Sequence, residues 1–276
     1  MTTFKTSDGL NLHFEDTGQG QPLLCLSGLT RNSRDFDFLA PHMRHLRMIT
    51  LDYRGRGQSD HAADFNSYNV GREAQDVVEL LDHLGLDRVT VLGTSRGGLI
   101  AMVMAATVPD RLAGVILNDV GPHVSAEGIA RIMEYVGKPP NAKTLQAAAG
   151  ALQSVQGAQF PGLSPAVWRA MAEAQFTPAG EGLALRYDAR LRDALLAQAA
   201  AGPPPDLWPV FEALKPLPTG VLRGANSDIL LPETLTEMQA RHPDLIAATV
   251  PDRGHVPLLD EPESLSLIHR VLEQSA

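Results

Sequence analysis

The segment running Val89-Thr-Val-Leu-Gly93-Thr94-Ser95-Arg96-Gly97-Gly98-Leu99-Ile-Ala-Met-Val-Met-Ala-Ala constrains this chain more than any other. An apolar, β-branched run arrives at a serine with glycines at minus two and plus two, then passes at once into a run apolar on nearly every side. The first run reads as a strand covered on both faces, the last as a buried helix. A strand that hands over to a helix so abruptly needs a turn too tight for side chains beside the serine, and the glycines remove them. The serine hydroxyl is then expected to stand clear of the sheet, at a helix N-terminus that favours developing negative charge. A G-x-S-x-G match alone fits a capping serine in a glycine-rich turn. The strand before it and the helix after it favour a nucleophile elbow.

The rest of the chain supports a sheet to carry that turn. Leu10, Leu12 and Phe14 alternate with polar residues, the period of a half-exposed strand. Short apolar runs follow at Leu23–Leu26, Met48–Leu51, Val115–Leu117, Gly220–Leu222 and Leu245–Val250. Between them lie helical patterns: Ala74, Val77, Val78, Leu81 and Leu84 in one, and Leu265, Ile268, Val271 and Leu272 in another. An antiparallel start followed by β-α alternation predicts a mostly parallel α/β sheet with crossover helices.

One interval breaks the rhythm. From Val120 to about Pro209 no strand is evident, and helical pieces fall near Ala126–Val136, Ala142–Val155, Pro165–Glu173 and Arg190–Ala200. The stretch closes on Pro203-Pro204-Pro205, a stiff linker. The expectation is an all-helical insertion that follows a strand end, where open α/β sheets bind ligands, and so a lid rather than an independent domain.

A serine nucleophile needs a base, and the base an orienting acid. Among nine histidines, His255 alone follows the last core strand, in Pro251-Asp-Arg-Gly254-His255-Val-Pro257. For the acid, Asp228 follows the strand at Gly220–Leu222 and gives the chain order serine, acid, histidine, while Asp119 ends the strand after the elbow helix as its rival. Chain order favours Asp228. Two donors are needed for an oxyanion; the N–H of Arg96 is one candidate and that of Leu29, in Ser27-Gly28-Leu29-Thr30, the other. Gly28 beside it would let substrate approach closely. Arg31, Arg34 and Arg96 cluster near these loops, where an arginine could hold a substrate carboxylate or pair with Asp35 or Asp37. Tyr135, Trp168 and Tyr187 of the insertion could line a pocket or simply pack.

Composition narrows the partners. Lys and Arg number 23 against 32 Asp and Glu, a net charge of −9, which disfavours nucleic acid and anionic membranes. Cys25 has no second cysteine to pair with. No apolar run approaches the ~18 residues of a membrane span, and Met1-Thr-Thr-Phe-Lys-Thr-Ser-Asp lacks an apolar signal core, so a soluble cytoplasmic protein is expected.

Ser27-Gly28-Leu29, Asp52-Tyr-Arg-Gly55-Arg-Gly57-Gln-Ser59, Gly93-Thr-Ser95-Arg-Gly97, Gly224…Asp228 and Gly254-His255 together resemble the α/β-hydrolase superfamily, over essentially the whole chain. The resemblance is greatest to bacterial cap-bearing serine hydrolases, with residues 1–120 and 209–276 as the core and 121–208 as a helical cap. It implies a Ser95–Asp228–His255 triad with Leu29 and Arg96 as oxyanion donors. The candidate substrate contacts, Gly28, Arg31, Tyr135 and Trp168, are read from the residues themselves. Ser27 departs from the His or Pro that many members carry before the glycine. A serine at the elbow excludes the haloalkane dehalogenases and epoxide hydrolases, which need a carboxylate there. The expected reaction is hydrolysis of a small-molecule ester or lactone, without metal or organic cofactor. Carbon–carbon bond or enol-lactone hydrolysis, and a receptor that barely turns over, are the alternatives.

Overall fold

The computed structural model describes residues 2–276. In chain order its strands are β1 (Thr3–Lys5), β2 (Asn11–Thr17), β3 (Pro22–Leu26), β4 (Arg47–Leu51), β5 (Val89–Thr94), β6 (Leu112–Asn118), β7 (Phe176–Ala179), β8 (Gly182–Leu185), β9 (Thr219–Gly224) and β10 (Ile246–Val250). The α-helices are α1 (Val70–His83), α2 (Arg96–Thr107), α3 (Ala126–Tyr135), α4 (Leu145–Gln156), α5 (Pro165–Gln175), α6 (Leu191–Ala200), α7 (Trp208–Glu212), α8 (Pro232–Arg241) and α9 (Pro262–Gln274).

Eight strands form one sheet in the order β1-β2-β4-β3-β5-β6-β9-β10. β1 and β2 pair antiparallel, β2 meets β4 antiparallel, and every later pair is parallel. The parallel strands bury both faces, which explains their nearly continuous apolar runs. Successive side chains serve opposite layers. Leu24 and Leu26 of β3 join Val91 and Leu117 in a core closed by α1, α2 and α8. Leu23 and Cys25 join Leu92 and Ile116 in a second core closed by α9 and by Phe36 and Leu39. β2 is less alternating than its sequence suggests, because His13 is buried along with Leu12 and Phe14.

Helix α1 shows how local sequence fixes an element. Asn69 caps its first turn by accepting the Arg72 N–H at 2.8 Å. Ala74, Val77, Leu80 and Leu81 then form its buried stripe. Among the described residues no helix is long and apolar enough to cross a membrane.

Residues between β6 and α7 supply α3–α6, as the helical pattern predicts, but also a feature it does not. β7 and β8 form a two-stranded antiparallel hairpin, so the insertion is not all-helical. Ala179 pairs with Gly182 across the two-residue turn Gly180-Glu181, and Gly180 sits at φ +53°, the left-handed conformation such turns require. The insertion is fastened at the C-terminal ends of the sheet strands. Gly57 N–H bonds Arg186 O at 2.8 Å, Asp188 N–H bonds Gly55 O at 2.7 Å, and Asn32 Nδ2 bonds Ala174 O at 2.7 Å. Its interior is its own: Trp168, Phe160, Met171 and Leu183 pack with Ala148 and Ala149.

Candidate active site

β5 delivers Ser95 into a backbone conformation of φ 51°, ψ −111°, strained for any side-chain-bearing residue. Only glycines fit around it. A Cβ on Gly97 would strike the Leu26 backbone, and one on Gly93 the backbone of Gly97 and Gly98. Ser95 N–H bonds Asn118 O at 2.9 Å, which ties the turn to the end of β6. α2 begins at the next residue, so the Arg96 N–H lies at the first helical position, where no intrahelical carbonyl can reach it.

His255 stands in the loop after β10, with Nε2 3.0 Å from Ser95 Oγ. The loop is held from three sides. Asn118 Nδ2 donates to Pro257 O at 3.2 Å, Asn226 N–H donates to Arg253 O at 2.8 Å, and the buried Glu261 accepts from Leu258 N–H, Leu259 N–H and Arg253 Nε at 2.7–3.0 Å.

The acid facing His255 is Asp119, not Asp228. Asp119 Oδ2 lies 2.7 Å from His255 Nδ1. A carboxylate accepts and cannot donate, so Nδ1 carries the proton and Nε2 is free to accept from the serine. Asp119 is fully buried at the tip of β6, at φ 57°, in the left-handed region that aspartate tolerates better than most residues. Its remaining acceptor capacity is filled by Gly224 N–H at 2.8 Å and Ser227 Oγ at 2.5 Å. Asp228 is one residue further on and faces the other way, ion-paired with Arg131 of α3. Asp119 takes this place because β6 is hydrogen-bonded directly to β5, which brings its tip beside the elbow, whatever the order of the acids in the chain. The loop after β9 spends its inward position on Ser227 instead. Ser227 carries no signal of its own in the sequence.

The loop after β3 also reaches the serine. Gly28 is buried, and a Cβ built there would lie 3.9 Å from Ser95 Cβ. The next residue, Leu29, has its carbonyl held at 3.0 Å by the buried Arg56 Nε. Arg31 ion-pairs with Asp35 at 3.5 Å, and Arg34 reaches Asp37 at 3.3 Å and Glu173 O at 3.0 Å. A cleft opens beside His255, its lining including Arg31, Arg34, Asp35, Phe160, Met171 and Leu258. Trp168 does not line it. It is 2% exposed, edge-on to Phe160, and belongs to the core of the insertion. Tyr187 is buried as well, its hydroxyl accepting the Gly137 N–H at 3.1 Å, whereas Tyr135 at the end of α3 is 48% exposed.

A family profile described as alpha/beta hydrolase fold matches residues 21–262. A 3-hydroxybutyrate-oligomer hydrolase of Cupriavidus necator is 37% identical over 265 residues, covering 91% of this chain and 88% of that one. The crystal structure of an alpha/beta hydrolase from Novosphingobium aromaticivorans is 42% identical, with a TM-score of 0.92 over 99% of this chain and 97% of the other. That of E-2-(acetamidomethylene)succinate hydrolase, 23% identical, shares the fold with a TM-score of 0.83 over 99% of each chain.

Proposed function

The chain belongs to the alpha/beta hydrolase fold family, and from that premise we propose that it is a serine hydrolase that cleaves a carboxylic ester or lactone through an acyl-enzyme. The reading is carried by one observation, the unbroken series Ser95 Oγ, His255 and Asp119 at 3.0 and 2.7 Å. In the first half-reaction Ser95 Oγ bonds to the carbonyl carbon while His255 Nε2 takes its proton. The carbonyl π pair moves onto oxygen, where the Leu29 and Arg96 N–H groups receive it. Asp119 holds the imidazole in the required tautomer and stabilises the imidazolium. Collapse of the tetrahedral species expels the alkoxide, which takes the proton from Nε2. Water, deprotonated by His255, then attacks the acyl-enzyme, and Ser95 leaves with that proton. The segment 121–208 serves as the cap over this site, fastened to the loops that carry it.

For substrate class we propose short oligoesters of a hydroxy acid. The Cupriavidus relative is named for such a substrate and aligns over nine-tenths of this chain. The cleft lining offers both charged and apolar side chains, Arg31 and Arg34 with Phe160 and Met171, to a substrate that carries polar and apolar groups. The test is initial rates on p-nitrophenyl esters of increasing acyl length and on 3-hydroxybutyrate dimer and trimer, for wild type and Ser95→Ala. Multiple turnover in the wild type and its loss in the variant are expected. Equal rates in both would remove Ser95 from the mechanism. Turnover of the p-nitrophenyl esters but not the oligomers would keep the esterase and discard the hydroxy-acid substrate.

A further inference from the structure

Helix α1 carries two buried carboxylates a turn apart, Glu73 and Asp76, and each meets arginine. They are not equivalent. Asp76 takes Arg54 Nε at 2.6 Å and Arg54 Nη2 at 2.7 Å, and that guanidinium continues outward to Asp8. Glu73 instead lies between two arginines that belong to the reacting end of the molecule. Its Oε2 takes Arg96 Nε at 2.5 Å, and its Oε1 lies 2.8 Å from Arg56 Nη1. Arg96 supplies one of the two amides assigned to the oxyanion. Arg56 holds the carbonyl of Leu29, which supplies the other.

One fully buried carboxylate therefore spans both halves of the oxyanion hole. The span is braced on each side. Arg56 Nη1 also donates to Arg54 O at 2.7 Å, and its guanidinium lies 5.7 and 5.4 Å from the centroids of the Tyr53 and Tyr68 rings. Arg96 Nη2 donates to Tyr68 O at 3.3 Å, and Tyr53 Oη donates to Ser27 O at 3.3 Å. Burial raises the Glu73 carboxyl, but Arg56 and Arg96 outweigh it and hold it below its ordinary range, so it stays ionised. Two arginines against one carboxylate leave an excess positive charge out of water beside the place where negative charge develops.

We propose that Glu73 is a positioning residue of the oxyanion hole, fixing the Leu29 and Arg96 amides relative to each other through Arg56 and Arg96. The proposal rests on Ser95 being the nucleophile and those two amides the donors. Without Glu73 two buried guanidiniums would repel, and the loop after β3 would be free to move relative to α2. A donor displaced by a fraction of an ångström acts on the tetrahedral species far more than on the bound ester.

The experiment compares Glu73→Gln with Asp76→Asn, two near-isosteric losses of a buried ion pair on one helix. Steady-state kinetics on p-nitrophenyl butyrate would be read beside inhibition by phenylboronic acid, whose serine adduct is tetrahedral and places an oxygen in the hole. For Glu73→Gln, kcat should fall about 10–100-fold with KM within about twofold, and boronate Ki should weaken by the same factor as kcat/KM. Asp76→Asn should lower Tm while kcat and boronate Ki stay within about twofold. Arg56→Lys keeps the charge but loses the planar fork that reaches Glu73 and Leu29 together, and should reproduce the kcat and Ki loss even if Glu73→Gln does not fold. Unchanged kcat and Ki in folded Glu73→Gln, or in folded Arg56→Lys if Glu73→Gln does not fold, overturn the proposal. So does an equal loss of both in Asp76→Asn, which would make the effect one of helix stability. Absence of Ser95-dependent turnover in the wild type would overturn the serine-hydrolase reading and this proposal with it, whereas its presence with unaltered Glu73 variants would overturn this proposal alone.

Discussion

Asp119 and Asp228 follow neighbouring strands, at the same end of the same sheet, and differ in everything that matters to a base. Asp119 comes directly after β6, is sealed from water, and spends its carboxylate on Gly224 N–H, Ser227 Oγ and His255 Nδ1. Asp228 comes four residues after β9, beyond the exposed Ala225 and Asn226, and turns outward to Arg131 of the insertion. Both acids sit on sheet loops, but one is locked against the sheet and the other is paired with the insertion. Orienting a histidine demands a carboxylate that cannot swing, and burial against three fixed donors supplies that restraint. An acid that shares its charge with a half-exposed arginine does not have it.

The largest effect expected is therefore at Asp119. Asp119→Asn keeps the shape but can donate to His255 Nδ1, which favours the tautomer that cannot accept the Ser95 proton. In the proposed mechanism kcat should fall about 10³–10⁴-fold, with KM little changed. Rates on p-nitrophenyl butyrate, with circular dichroism to show that the variant is folded, check this. If Asp119→Asn kept most of its activity while Asp228→Asn lost it, the two acids would exchange roles.

Ser227 tests the restraint itself. Its hydroxyl donates to Asp119 Oδ2 at 2.5 Å and accepts from Ile229 N–H at 3.2 Å, so it joins the turn to the acid. Ser227→Ala leaves Asp119 still bonded to Gly224 and His255. Turnover should drop about tenfold, and stability by about 1–3 kcal/mol for the partner lost to a buried carboxylate. Measured kcat and urea unfolding separate the two. A variant that loses stability but no turnover would show that His255 and Gly224 alone hold Asp119 in place.

How much of this was legible in the sequence depended on whether the signal was local. The elbow was legible because strand, paired glycines and helix are contiguous, and His255 because one histidine alone follows the last core strand. The parallel sheet was legible from its unbroken apolar runs. The acid was not, since which strand tip meets His255 is decided by sheet order, and β5, β6 and β9 lie side by side through pairings as distant in the chain as Val115 with Thr219. The same holds for Trp168. Its helix is readable, but whether it faces the cleft or the interior depends on how α4 and α5 pack, and they bury it. The β7–β8 hairpin is a different case. Its first run contains Pro178 and its turn is Gly180-Glu181 rather than one of the strong hairpin pairs, so the surrounding helical composition dominates the sequence.

The smallest effect is expected at Asp228, and its smallness is informative. Arg131 is about half exposed and Asp228 about a fifth, so solvent screens the pair and its net contribution to stability is below about 1 kcal/mol. Asp228→Asn should leave kcat within about twofold, because the side chain touches neither His255 nor Asp119. Any change should appear in KM, since Arg131 lies on α3 of the insertion and loses its ion pair to the loop after β9, leaving the Ser125 N–H to Ile229 O bond there. The sharper form of the experiment adds salt. Raising ionic strength weakens a screened surface pair in the wild type and has nothing left to weaken in the variant, so the two KM values should converge as salt rises. Parallel salt responses would mean that the ion pair does not tie the insertion to the sheet, and that its hydrogen bonds, those of Asn32, Gly57, Asp188 and Ser125 among them, hold it.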